Sequence, residues 1–85
     1  MGEKKVGSVS HYYGAIGVAG ISVTAELNVG DTIHVIGHTS DFTQTIDSMQ
    51  VDHEQVESAG AGDQIGIKVV DRTRIHDEVF RVTDD

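Results

Sequence analysis

The fold is decided by one stretch of the chain, Leu27-Asn28-Val29-Gly30-Asp31-Thr32-Ile33-His34-Val35-Ile36-Gly37. Its Gly-Asp pair ends a turn, because glycine tolerates positive φ, and the residues that follow alternate in the manner of a half-buried strand. A related stretch comes later, at Ala59-Gly60-Ala61-Gly62-Asp63-Gln64-Ile65-Gly66-Ile67-Lys68-Val69. The two stretches differ too much to form a repeat. Each predicts a turn followed by a strand, which indicates an all-β fold.

Length and composition set the scale of the protein. A chain of 85 residues is expected to form a single domain, residues 1–85, around one small core. With two Tyr, two Phe and no Trp, Val and Ile must fill that core, and β-branched residues favour strands. The absence of Cys excludes a disulfide scaffold and a thiolate zinc site. No apolar stretch approaches the ~20 residues of a membrane span, and no signal peptide is recognised, so a cytoplasmic location without membrane contact is expected.

Short strands separated by Gly-rich turns recur along the chain, and no long helix is predicted. The predicted strands cover residues 6–13, 16–24, 31–37, 42–51 and 65–69, with a last strand around Val79. Within 42–51 the apolar parity changes between Ile46 and Met49, which predicts a bulge near Asp47-Ser48, as at a barrel corner. Six such strands predict a small closed, Greek-key-like β-barrel, which would remove exposed edges. The predicted core contains Val9, Ile21, Leu27, Ile33, Val35, Ile46, Met49, Val51, Ile65, Ile67 and Val69.

Charge is distributed unevenly along the sequence. The formal net charge is −8, yet all six basic residues lie outside the stretch from Val6 to Ile67. If the first strand lies near the last two, these residues form a patch that could contact RNA or a partner. The alternative is that they are scattered, solvated charges matched by neighbouring acids. The patch would consist of Lys4, Lys5, Lys68, Arg72, Arg74 and Arg81.

No motif predicts catalysis or a bound metal or cofactor. The densest histidine cluster is His34 with His38 and Asp41, but residues four apart along a strand lie ~13 Å apart, too far to share an ion unless Gly37 folds the chain back. No glycine elbow or base-and-orienter order supports a serine nucleophile. Two roles are open for the aromatic pair Tyr12-Tyr13: stacking on bases, or a strand end with one ring in the core and one exposed. The sequence therefore predicts a non-enzymatic protein without cofactors.

Several of these segments resemble parts of a known family. The turns 27–31 and 59–63 and the strand containing 48–51 resemble, in order and spacing, the second domain of the translational GTPases, the β-barrel found in elongation factor Tu. A narrower resemblance, carried by residues 11–13, 39–42 and 48–53, is to small stand-alone prokaryotic barrels and to the barrel appended to collagenase-like peptidases and tRNA-modification proteins. The chain departs from the family at the last turn, where His76-Asp77 replaces the usual Gly-Asp.

The resemblance implies a binding module of the translation or tRNA-modification machinery. The chain lacks the Gly-x-x-x-x-Gly-Lys-Ser/Thr motif, so no nucleotide is expected to bind. One hypothesis is docking on a larger protein partner; the alternative is direct binding of tRNA or rRNA through the basic patch. The negative net charge favours docking, because binding to a phosphate backbone depends on Lys and Arg. Acidity that reflects a salt-rich cytoplasm would carry no information about partners.

Overall fold

A computed structural model describes residues 2–83. All helices and strands assigned in this range are β-strands. The all-β prediction is confirmed. None of the described segments forms a helix with the length and hydropathy needed to cross a membrane. The ten strands are β1 Gly2–Tyr13, β2 Val18–Val23, β3 Leu27–Asn28, β4 Thr32–Ile36, β5 Asp41–Thr45, β6 Met49–Val51, β7 Glu54–Val56, β8 Ser58–Ala59, β9 Gln64–Lys68 and β10 Glu78–Thr83.

Eight of the strands form one antiparallel sheet in the order β5-β4-β10-β1-β2-β9-β6-β7, and β3 pairs with β8. The predicted closed six-stranded barrel is wrong, because within residues 2–83 no strand ladder joins the end strands β5 and β7. The sheet is nevertheless curled. In a flat sheet β5 and β6 would lie six strand spacings apart, roughly 29 Å. Thr45 and Met49 are only four residues apart, a span of at most about 14 Å, so the sheet must bend round.

The curled sheet encloses a single aliphatic core. Inward-facing residues alternate along the strands, as Ile33 and Val35 do on β4. On β2 the buried set is Ala19, Ile21 and Val23. Every residue of the predicted core lies in or against this cluster, with Val51 and Val69 only partly buried. The core also contains Val6, Val23, Ala59 and Val79.

The chain between β5 and β6 makes the predicted change of face. Strand pairing is interrupted at residues 46–48, and Ile46 and Met49 are both buried in spite of their opposite parity. Ile46 is held on a neighbouring turn: its N–H donates to Asp31 O and its carbonyl accepts from Gly30 N–H, both at 2.9 Å. This bend brings the two ends of the sheet together.

Three turns that lead into strands share one design. In each, an aspartate closes a four-residue turn: its N–H donates to the carbonyl of the first residue, and its Oδ2 accepts from the N–H of that same residue. The residue before the aspartate has positive φ, at +95° for Gly30, +94° for Gly62 and +80° for His76. The last turn therefore keeps the geometry of the others although it has His in place of Gly. The three turns span residues 28–31, 60–63 and 74–77.

Candidate functional site

A groove of about 390 Å³ lies on the outer face of the sheet, across β1, β2, β9 and β6. Its floor is formed by Gly20 on β2 and Gly66 on β9, which are paired directly across the ladder. The same row continues to His11 on β1 and Gln50 on β6. Because neither glycine has a side chain, the backbone of two adjacent strands is bare at the centre of this face, an arrangement that permits close approach of a ligand.

One side of the groove is apolar. Tyr13 and Val18 are cross-strand partners on β1 and β2, and Ile16 lies in the turn between these strands. Tyr13 is 49% exposed and Ile16 is 64% exposed. The Tyr13 ring packs on His11, with 4.3 Å between ring centroids. Two large apolar side chains are thus open to solvent beside the glycine floor.

The opposite side is polar. Gln64 Nε2 donates to Ser22 Oγ at 3.0 Å, and Ser10 Oγ donates to Gln64 Oε1 at 3.5 Å. These bonds hold the Gln64 amide on the outer face of β9. Together with Gln50 on the neighbouring strand, the groove therefore offers two primary amides, each of which both donates and accepts hydrogen bonds.

The far end of the groove is formed by the tight turn between β6 and β7. Asp52 and His53 both have positive φ, at 52° and 67°, as a two-residue hairpin turn with right-handed strand twist requires. Asp52 is the one carboxylate among the residues that line the groove, and that lining contains no Lys or Arg. The groove is therefore suited to uncharged or cationic ligands.

The groove was not predicted from the sequence. A signal was present, since Gly20 and Gly66 both lie inside strands and on the parity opposite to the core residues. Recognising them as one site requires the register that pairs them. A hairpin pattern can predict neighbouring strands, whereas β2 and β9 are paired across the forty residues 24–63 of intervening chain.

His34 occupies a separate position on the outer surface, between two carboxylates. Its Nε2 lies 2.6 Å from Asp41 Oδ1, and its Nδ1 lies 2.9 Å from Glu3 Oε2. Hydrogen bonds to Asp41 and then to Glu3 raise the pKa of His34 above its ordinary value. The protonated ring donates to both acids and so links β4 to β5 and β1.

This arrangement differs from both candidate chemistries raised by the sequence. His34 and Asp41 do come together, but the third partner is Glu3 and not His38. An Asp–His pair resembles the orienter and base of a hydrolytic triad, yet the second ring nitrogen of His34 faces a carboxylate where a nucleophile's hydroxyl would be needed. Among the described residues, no three His, Asp or Glu side chains are arranged to hold one metal ion.

The structure divides the six residues of the predicted basic patch. Lys4 and Arg81 are directly opposite each other on β1 and β10, and Lys5 pairs with Glu78 at 3.4 Å. The other three, Lys68, Arg72 and Arg74, lie at the end of β9 and in the loop that follows it. Lys68 belongs to the row containing Tyr13, nine residues from Lys4 along β1, or ~30 Å in an extended strand.

Comparisons with known proteins were made by sequence and by structure. No protein-family model matches the chain. Over 77 residues it is 35% identical to an uncharacterized protease of Methanocaldococcus jannaschii, a stretch that covers 89% of this chain and 19% of that protein. Over 78 residues it is 31% identical to a collagenase of Porphyromonas gingivalis, covering 89% of this chain and 22% of the collagenase. The chain thus spans about a fifth of these relatives.

A solved structure has the same fold. The C-terminal domain of a Geobacillus thermoleovorans protein assigned to the U32 peptidases superimposes with a TM-score of 0.88 and 18% identity, over 94% of this chain and 93% of that one. At this identity the match concerns the fold alone.

These findings correct the functional expectations. The proteins that resemble the chain are a protease, a collagenase and a peptidase domain, so the predicted identity as an elongation-factor second domain is wrong. The expected role in translation or tRNA modification, whether by docking or by RNA binding, depended on that identity and is therefore wrong as well. Of the resemblances seen in the sequence, the one to the barrel appended to collagenase-like peptidases agrees with the comparisons.

Proposed function

We propose that the chain is an accessory domain of a U32-type peptidase and that it contributes binding, with no catalytic group of its own. The observation that carries this proposal is the extent of the match. The chain corresponds to about a fifth of the longer relatives, and its fold is that of a separately crystallised C-terminal domain. A matched segment of that size leaves about four-fifths of each relative to supply the chemistry.

The side chains of the domain support a non-catalytic role. The strongest acid–base arrangement is His34 with Asp41 and Glu3, and both ring nitrogens are engaged by carboxylates. A histidine so placed has no free nitrogen to take a proton from a serine or a water molecule. The groove contains Ser10, His11 and His53, but the hydroxyl of Ser10 is directed to Gln64 and not to an imidazole.

Two measurements test the proposal. First, the purified chain is incubated with casein and with gelatin, and no hydrolysis above the blank is expected. Second, the matched segment of the P. gingivalis collagenase is either deleted or replaced by this chain. We expect deletion to lower kcat/KM on a protein substrate and replacement to restore most of the loss. Hydrolysis by the chain alone, or a replacement no better than the deletion, would contradict the proposal.

A further inference from the structure

We propose that the groove over Gly20 and Gly66 binds an extended polypeptide segment of about four residues that has a Lys or Arg side chain near Asp52. The inference rests on the proposed function, since it names the ligand through which an accessory domain of a peptidase would act. It is argued from the floor, the dimensions and the charge of the groove.

At Gly66 the fold does not require glycine. Gly66 has no positive φ, and a Cβ added there would lie 3.4 Å from Val18 Cγ1, an ordinary contact. At Gly20 the nearest atom would be His11 Cβ at 3.3 Å, a tight contact that requires the neighbouring strand to move by a few tenths of an ångström. Glycine inside a strand weakens it, because the residue lacks a side chain to pack and loses more entropy on folding. Gly66 is therefore explained better by a ligand that needs the space above it, and Gly20 extends the bare floor beside it.

The dimensions suit one extended chain. The groove crosses the sheet from β1 to β6, which is three strand spacings or roughly 14 Å, the length of about four extended residues. Its walls are the rows two residues to either side of the glycine row, so they lie about 13 Å apart, wide enough for a single backbone with its side chains.

The chemistry of the walls favours a peptide over other ligands. Val18 and the exposed Tyr13 and Ile16 provide a surface for an apolar side chain. The amides of Gln50 and Gln64 can pair with the N–H and C=O groups of a peptide backbone. A net charge of −8 with a carboxylate in the groove opposes phosphate groups.

The charge of the groove sets the polarity of the peptide. Asp52 is exposed on the hairpin turn at one end, and no cation lines the groove. A basic side chain at that end of the peptide would be attracted, and an acidic one repelled. An exposed ion pair is worth at most about 1 kcal/mol, so this preference amounts to roughly twofold to fivefold in affinity.

The test is an NMR titration of the full ¹⁵N-labelled chain with two blocked peptides, acetyl-Val-Ala-Leu-Lys-amide and acetyl-Val-Ala-Leu-Glu-amide. We expect the Lys peptide to shift the backbone amides of Gly20, Gly66, Gln50 and Asp52, and the Glu peptide to bind about twofold to fivefold more weakly. In Asp52→Asn, which keeps a residue tolerant of positive φ, the two affinities should become equal.

Matched valine variants locate the site. Gly66→Val raises the floor and should abolish the shifts. Gly60→Val adds the same side chain in open space away from the groove and should leave them unchanged. If Gly66→Val loses its dispersed spectrum, Gly66→Ala, which adds only the Cβ, is expected to weaken binding instead. Ile16→Ala, at an exposed turn residue, should also weaken it.

Several outcomes would overturn the proposal. These are the absence of shifts at the groove amides at millimolar peptide, equal binding of the Lys and Glu peptides by the parent chain, and shifts that Gly66→Val does not remove. Shifts of the same amides on dilution without peptide would assign the groove to a second copy of the chain. If no peptide binds but replacement in the collagenase restores hydrolysis, the peptide-binding role of the groove is rejected and the accessory role stands. If the Lys peptide binds in the groove but replacement does not restore hydrolysis, only the accessory role is rejected.

Discussion

The side-chain amide of Gln44 is bonded to the backbone at Val70, with Oε1 accepting the Val70 N–H at 2.8 Å. Its Nε2 also donates to the carbonyl of Lys68 at 2.8 Å. Gln44 lies on the end strand β5, and Lys68 ends β9. At the seam of the curled sheet, where the described strands make no backbone ladder, one side chain thus provides the donor and acceptor that a neighbouring strand would provide.

Replacing Gln44 by Ala should therefore loosen the seam. Two neutral hydrogen bonds contribute about 1–2 kcal/mol, so we expect Tm to fall by roughly 5–10 °C for a domain of this size. Thermal melting followed by circular dichroism measures this. Thr45→Ala, at an exposed residue of the same strand, is the control and should have a much smaller effect. Equal Tm values for the two variants would show that Gln44 does not hold β5 against the chain at the end of β9.

Valine substitutions at three turn glycines should separate backbone strain from crowding. Gly30 and Gly62 have positive φ, whereas Gly60 does not, and an added Cβ meets no atom within 4 Å at any of the three. We expect Gly30→Val and Gly62→Val each to lower the free energy of unfolding by more than ~1 kcal/mol, and Gly60→Val to cost clearly less. Chemical denaturation provides the comparison. Equal losses in the free energy of unfolding at all three sites would show that positive φ is not the cause of the destabilisation.

In the third turn, residues 74–77, a change to glycine is expected to stabilise the protein. His76 holds φ at +80°, a conformation that costs an ordinary side chain about 1–2 kcal/mol and that glycine adopts freely. Because glycine also makes the unfolded chain more flexible, the net gain expected for His76→Gly is about 0.5–1 kcal/mol. His38→Gly, at an exposed loop residue outside this region of φ, should be neutral or destabilising. A destabilised His76→Gly variant would mean that the imidazole makes a contact that outweighs the strain.

The sequence predicted the β-strands and core well because both depend on local alternation. Ile33 and Val35 could be assigned from the period of their own strand, and the change of face between Ile46 and Met49 was visible in the same way. The closure of the sheet could not be predicted locally. It depends on how far the sheet curls and on the Gln44 side chain, which reaches residues more than twenty positions away.

The surface sites also combine contacts that follow from local sequence with contacts between distant strands. The sequence grouped His34 with His38 and Asp41 but did not predict the direct contact of His34 with Asp41, which the pairing of β4 with β5 creates. It missed Glu3, because the contact crosses β10, which comes last in the chain and lies between β4 and β1 in the sheet. The groove was missed for a related reason, as its floor needs the pairing of Gly20 with Gly66. The local alternation of apolar and polar residues therefore predicts individual strands. A site built from strands that are distant in sequence can be predicted only when the order of strands in the sheet is known.

The two carboxylates around His34 make stability depend on pH. They raise the pKa of the ring in the folded protein, so the protonated form is favoured by folding. The resulting stabilisation is fully present below the unfolded pKa of about 6.5 and is lost as pH rises through the folded value.

A comparison of His34→Gln with the parent at two pH values tests this linkage. Near pH 6 the variant lacks both ion pairs and should melt several degrees lower, whereas near pH 9 the difference should shrink because the parent ring loses its proton as pH rises. The effect is limited to about 1 kcal/mol per pair, since the Glu3 and Asp41 side chains are 43% and 72% exposed. Taking the difference in Tm between parent and variant removes the general effect of the net charge of −8, which acts on both proteins.

His38→Gln, on the exposed loop beyond β4, is the control and should show no such dependence. A difference in Tm that stays constant between the two pH values, or that grows as pH rises, would mean that His34 is not held in its protonated form by Glu3 and Asp41.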